Sequence, residues 1–186
     1  MRKLSVFNNF STDGYFTDAR GDMSWAKTGN DDEFNQFTSE NASRGGMLVF
    51  GRVTYDLMAG FWPSLQAAQA MPVVAERMNN LPKIVFSKKL TAVAWNNTTL
   101  VKDDLADYIW KMKKESGPSM VILGSGSIVA QLTDAGLIDE YQIVLNPIAL
   151  GAGRTIFDAI KKPLDLKLTQ MRAFKNGKIY LRYEPA

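Results

Sequence analysis

SMVILGSGSIVAQLTDAGL, residues 119–137, reads as an apolar strand, a glycine-serine turn and an amphipathic helix. Met120 to Leu123 form a continuous apolar run, the pattern of a strand buried on both faces. Gly124 and Gly126 allow a sharp turn with no Cβ in the way of an approaching ligand. Ser125 or Ser127 can cap the following helix, whose Ile128, Val129 and Leu132 share a face. The first N–H groups of such a helix lack internal partners and lie at the positive end of its dipole, which suits a phosphate. The turn is neither GxGxxG nor a P-loop, so turn geometry and phosphate binding both remain open readings of it.

Outward from this unit the same alternation recurs. Leu4 to Phe10 reads as a first strand, closed by a turn at Thr12-Asp13-Gly14. A loop passes Asp18, Gly21 and Trp25, and Asn30-Asp31 offers an N-cap for a helix carrying Phe34 and Phe37, stopped at Gly45-Gly46. Met47 to Phe50, Lys83 to Phe86 and Thr98 to Val101 are further strands; a short helix after Arg52 ends at Phe61-Trp62-Pro63, and Pro72 opens another. A helix from Asp103 to Glu115 begins acidic and ends with Lys111, Lys113 and Lys114, which reads as a solvated face complementing the helix dipole. Tyr141 to Leu145 is a strand, and Asn176-Gly177 marks a closing hairpin between Leu164–Leu168 and Ile179–Tyr183. The pattern predicts one α/β domain over 1–186: a mixed, mainly parallel sheet, helices on both faces and a C-terminal antiparallel hairpin.

The 186 residues contain no cysteine and no histidine, which excludes disulfides, thiol nucleophiles, Ser-His-Asp triads and nearly every zinc site. Hydrophobic content of 46% and a net charge of +3 fit an ordinary globular chain, and no clustered basic face points to nucleic acid. No run is long enough to span a bilayer and no signal peptide is evident, so a cytoplasmic protein is expected.

In open α/β sheets ligands bind beyond the carboxyl ends of the strands. Three segments put polar residues there: Gly51-Arg52-Val53-Thr54, Ser87-Lys88-Lys89 and Gly124-Ser125-Gly126-Ser127. Their guanidinium, ammonium and hydroxyl groups suit a ligand with several phosphates.

At these residues the chain resembles the dihydrofolate reductase superfamily, with Ser11-Thr12-Asp13-Gly14-Tyr15-Phe16 similar to its first strand and turn. Ile122 to Phe157 is more closely similar to the reductase domain of the riboflavin biosynthesis protein RibD, through Gly136-Leu137-Ile138-Asp139-Glu140 and the Pro147, Gly151, Gly153, Phe157 pattern. The resemblance implies a three-layer α/β/α dihydrofolate reductase-like fold that binds NADPH. It places Arg52 and Ser87, helped by Lys88, at the adenosine 2′-phosphate, with Gly51 in the same turn and Thr54 at the pyrophosphate. Gly124, Ser125, Gly126 and Ser127 fall at the pyrophosphate and nicotinamide ribose, and Phe16 and Thr17 in the loop over the nicotinamide. Trp25, Phe34 and Phe61 are candidates for a substrate pocket or for plain core. No acid stands within the first helix where dihydrofolate reductase grips its pterin; Asp31, Asp32 and Glu33 come earlier, at the helix start. The metal ligands of a deaminase half have no counterpart.

The resemblance therefore implies an NADPH-dependent reductase, similar to the 5-amino-6-(5-phosphoribosylamino)uracil reductase, acting on a C=N or C=O bond of a small heterocyclic or carbonyl substrate. The alternative is a non-catalytic dinucleotide-binding or dimerisation module. Asp13 is the best-placed acid for a proton, though turn capping explains it equally. A homodimer is implied, with 138–146 or 149–157 at or near its interface.

Overall fold

The computed structural model describes residues 1–26, 31–43 and 46–186. Among them, eight strands form one sheet in the order β5-β4-β3-β6-β1-β7-β10-β9. They are β1 (Leu4–Ser11), β3 (Met47–Gly51), β4 (Lys83–Phe86), β5 (Thr98–Val101), β6 (Met120–Leu123), β7 (Glu140–Asn146), β9 (Leu166–Ala173) and β10 (Ile179–Pro185). From β5 to β7 every pairing is parallel; β10 runs antiparallel to both β7 and β9. The two remaining strands, β2 (Thr17–Asp18) and β8 (Gly153–Arg154), make a small antiparallel ribbon apart from the sheet.

The parallel strands are buried because helices cover both faces. Leu4 and Val6 of β1, Val49 of β3 and Ile122 of β6 meet Ile109 of α5 (Leu105–Lys114) and Ile128, Val129 and Leu132 of α6 (Gly126–Asp134). The opposite face carries α1 (Asp32–Ser43), α2 (Arg52–Phe61), α3 (Leu65–Ala70) and α4 (Pro72–Asn80). There Leu48, Phe50 and Val85 pack on Tyr55 of α2, Met78 of α4 and Trp95. Burying large apolar side chains on both faces is worth about 2 kcal/mol per residue, which is what holds the three layers together.

Each expected strand and helix is present, and α3 and the β2–β8 ribbon are additional to the expectation. Asp31 caps α1 by accepting from the Phe34 N–H at 3.1 Å. The expected cap residue Asn30 and the stop residue Gly45 lie outside the described residues. One expectation needs correcting: the lysines that end α5 are not all solvated. Lys113 is 9% exposed and its ammonium meets the Leu137 carbonyl at 2.8 Å and the Asp139 carboxylate, pinning α5 to the segment before β7. Strand β7 is paired along both edges, by β1 and by β10, whereas 149–157 includes exposed loop residues.

Sheet topology creates the site. The chain moves outward from β3 to β4 to β5, then returns through α5 to place β6 between β3 and β1. The strand order reverses there, and a crevice opens at the carboxyl ends of the strands.

A candidate dinucleotide cleft

The turn after β6 has an unusual backbone. Gly124 and Ser125 are both left-handed, each with φ of 57°. For serine this conformation costs free energy that surrounding contacts must repay, and three hydrogen bonds surround it. The Ser125 N–H donates to Thr54 Oγ1 at 3.0 Å, the Ser125 hydroxyl donates to the Leu123 carbonyl at 3.1 Å, and it accepts from the Gly51 N–H at 2.9 Å. The turns after β3 and β6 are thereby tied into one structure. Ser125 occupies the N-cap position of α6 but makes no side-chain cap, so its hydroxyl serves the neighbouring turn instead of its own helix.

Asn8, 2% exposed on β1, completes the arrangement. Its side chain accepts from the Gly124 N–H at 2.7 Å and donates to the Gly124 carbonyl at 3.3 Å. These bonds satisfy both backbone groups of a buried residue that has left the sheet ladder. A Cβ on Gly124 would lie 2.9 Å from Thr54 Oγ1, so glycine is required there by space as well as by φ.

These turns floor a cleft of about 930 Å³, a size that accommodates a large small-molecule ligand. Phe16, Thr17, Gly51, Arg52, Thr54, Ser87, Lys88, Ser125, Gly126 and Ser127 all line it. Of the positions assigned to the cofactor from sequence, only Gly124 lies beneath the wall, where it shapes the turn. Arg52, half-exposed, pairs with Asp56 at 3.0 Å, one helical turn on. Such surface pairs contribute little, so an arriving phosphate can take the guanidinium at small cost. Ser87 accepts from the Lys89 and Leu90 N–H groups at 3.1 and 3.0 Å, which leaves its own proton to donate.

The opposite wall comes from the β2–β8 ribbon. Thr17 pairs with Arg154 and Asp18 with Gly153, and the Phe16 N–H donates to the Arg154 carbonyl at 2.9 Å. The Phe16 ring packs over Gly126, where a Cβ would lie 3.2 Å from it and 3.5 Å from Ile156 Cα. Lys102 at the end of β5, Gln131 on α6 and Arg154 also line the cleft, beyond the residues expected from sequence. Lys102 carried a usable signal, since it follows an apolar strand just as Arg52 and Ser87 do.

The remaining candidates lie elsewhere. Phe34 is 2% exposed and packs edge-on against Phe174, with ring centroids 5.0 Å apart, in a cluster with Phe37, Val144 and Tyr180. Phe61 lies against Trp62 at 5.1 Å, and the Trp25 indole donates to the Asp22 carbonyl at 3.1 Å. None of the three lines the cleft.

Asp13 is also outside it. Its carboxylate accepts from the Leu150 N–H at 3.0 Å and the Gly151 N–H at 2.7 Å. The Ser11 hydroxyl and these backbone groups hold its pKa down at about 2. The folded pKa is depressed, so these contacts are fully present above the ordinary carboxylate value of 3.8 and are lost as pH falls toward 2. Asp13→Ala should accelerate amide hydrogen exchange at Leu150 and Gly151 at neutral pH. The unsubstituted protein should show the same acceleration only as pH falls through that window.

The RibD C-terminal domain model matches residues 2–180. The chain belongs to the RibD C-terminal domain family. Within reach of this family, YyaP of Bacillus subtilis (strain 168), an uncharacterized protein, is 23% identical over 182 residues, covering 98% of this chain and 94% of the relative. A crystal structure from Shewanella sp. PV-4, provisionally assigned to riboflavin biosynthesis, superposes with a TM-score of 0.76 at 24% identity, covering 99% of each chain. Dihydrofolate reductase from Enterococcus faecalis, solved with NADP(H), gives a TM-score of 0.62 at 15% identity, covering 98% of this chain and 96% of that one. These likenesses establish a dihydrofolate reductase-like fold for this RibD C-terminal domain.

Proposed function

We propose that this chain is an NADPH-dependent reductase of a small heterocyclic or carbonyl substrate, acting on a C=N or C=O bond. The observation that carries the reading is the convergence of Arg52, Thr54, Ser87 and Lys88 with the start of α6 on one cleft. The residues suit the cofactor: Arg52, Ser87, Lys88 and Lys102 provide charge and donors for a 2′-phosphate at the ends of β3, β4 and β5. The N–H groups of Gly126 and Ser127, in the first turn of α6, suit the pyrophosphate. NADPH, when bound, supplies the hydride. The protein's part is to orient it against Phe16 and Thr17 and to keep water out with the apolar wall of Phe16, Met23, Met58 and Ile156. Asp13, ionised at neutral pH and bonded away from the cleft, is replaced in this reading by solvent as the proton source. A homodimer belongs to the same reading by family resemblance, and sedimentation tests it.

Calorimetric titration with NADPH and NADH, followed by a substrate screen including the riboflavin-pathway intermediate, tests the function. NADPH is expected to bind, and Arg52→Ala should weaken it about tenfold or more by removing a charge-assisted contact to the 2′-phosphate. NADH, which lacks that phosphate, should lose far less. Equal losses for the two cofactors would remove Arg52 from this role, and no NADPH binding at all would remove the reductase.

A further inference from the structure

Arg154 has no role in what has been described so far. It is exposed, lines the cleft and makes no ion pair within the described residues. Its backbone, by contrast, is held on both sides. The Arg154 carbonyl accepts from the Phe16 N–H at 2.9 Å, and the residue pairs with Thr17 across the ribbon. The neighbouring Gly153 is packed so tightly that a Cβ would meet the Thr17 carbonyl oxygen at 2.1 Å. Two residues further on, Ile156 Cα sits 3.5 Å from the Cβ position of Gly126, the first residue of α6. The ribbon is thus fastened over the start of that helix, and its exposed Arg154 is among the residues lining the same cleft.

The cleft has cations on both sides of the α6 start. Arg52, Lys88 and Lys102 stand at the strand ends on one side, and Arg154 and Arg20 belong to the ribbon side. Three acids, Asp103, Asp104 and Asp158, also line it. Two of these are occupied: Asp104 accepts from the Ala106 and Asp107 N–H groups as the N-cap of α5, and Asp158 accepts from Thr155. Arg20 is bound to Asp18 at 3.3 Å on the ribbon itself. Arg154 is accordingly the ribbon-side cation with no acid to hold it among the described residues.

We propose that Arg154 grips the dinucleotide's pyrophosphate from the side opposite Arg52 and Thr54, making the β2–β8 ribbon a positioning element for the cofactor. This rests on the NADPH reading above. A pyrophosphate seated on the Gly126 and Ser127 N–H groups presents its outward oxygens to the ribbon, and a guanidinium can donate to two of them at once. Thr17 belongs to the same ribbon and the Phe16 N–H is bonded to it, so the residue that holds the pyrophosphate and the two that flank the nicotinamide are parts of one fixed unit.

Calorimetry with fragments separates this role from that of Arg52. ADP-ribose carries the pyrophosphate without the 2′-phosphate, and 2′-AMP carries the 2′-phosphate without the pyrophosphate. Arg154→Ala should weaken NADPH and ADP-ribose about tenfold to a hundredfold, the range of a lost hydrogen bond to a charged group, and leave 2′-AMP unchanged. Arg52→Ala should show the reverse preference, and Arg154→Lys should recover part of the ADP-ribose affinity by restoring the charge. An exposed arginine is dispensable for folding, and an unchanged thermal transition in Arg154→Ala verifies that. Unaltered NADPH binding in Arg154→Ala, or an equal loss of 2′-AMP, overturns the proposal while leaving the function standing. Failure of the unsubstituted protein to bind NADPH overturns both.

Discussion

Gly153→Ala should break the β2–β8 ribbon, since among the described glycines an added methyl group meets its closest neighbour here. The added Cβ would sit 2.1 Å from the Thr17 carbonyl oxygen and 2.9 Å from two atoms of the Tyr15 side chain. Neither neighbour has freedom to retreat. The oxygen belongs to backbone, and Tyr15 is held by the Ser11 N–H, which donates to its carbonyl at 2.8 Å. Separation of the two strands is the available relief, and it removes the Phe16 N–H bond to Arg154 and the Thr17 pairing together. Denaturant unfolding should register a loss of about 3 kcal/mol, the upper end for overpacking. Amide exchange at Phe16 should accelerate sharply. A protein with unchanged stability and unchanged protection at Phe16 would show that the ribbon does not depend on this glycine.

Gly126→Val is expected to damage the cleft and leave the sheet intact. Valine brings its Cβ within 3.3 Å of two Phe16 ring atoms and within 3.5 Å of Ile156 Cα, and its methyl groups extend further into both. Phe16 is an 8% exposed side chain in the main core cluster, so the ring has little room to move inward and must swing toward the cleft. The backbone φ at Gly126 is not positive, so valine is excluded here by space alone. Strain of about 1–3 kcal/mol that is relieved by deforming the site corresponds to a tenfold to hundredfold loss of dinucleotide affinity. NADPH and NADH should suffer alike, in contrast to Arg52→Ala, because the crowding lies at the part the two cofactors share. Full affinity in a folded Gly126→Val protein would refute this placement of the pyrophosphate.

Much of the sheet was legible because its strands are short apolar runs ended by glycine or polar residues. A residue buried on both faces needs no partner in sequence to reveal it. The ribbon was not legible. It joins Thr17 to Arg154 through two residues from each side, and neither stretch has a period to detect. Helix α3 was missed for a related reason, since Leu65 is 82% exposed and only Ala67 is buried. At the site, residues following strands are visible from sequence, and Lys102 after β5 obeys the same rule. Asn8 and Arg154 were beyond its reach. Asn8 acts through a turn 116 residues away, and Arg154 comes to line the cleft only through its pairing with Thr17 in the ribbon. Phe34 failed as a pocket candidate because an aromatic residue on an amphipathic helix gives the same signal whether it faces a ligand or the core, and here it faces Phe174.

The hydroxyl of Ser125 has a consequence for how this protein can change over generations. It bonds to the Gly51 N–H while the Ser125 N–H bonds to Thr54, so residues from two separate crossover units share one hydrogen-bonded joint. The two side chains hold the joint at different bonds: loss of the serine hydroxyl orphans the Gly51 N–H but leaves the residue 125 N–H on Thr54, whereas loss of the threonine hydroxyl removes one restraint from the left-handed residue. Substitutions at 54 and 125 act on one structure, so their costs should not simply add. A descendant that loses Thr54 is expected to favour glycine at 125, the residue that holds a left-handed backbone without help.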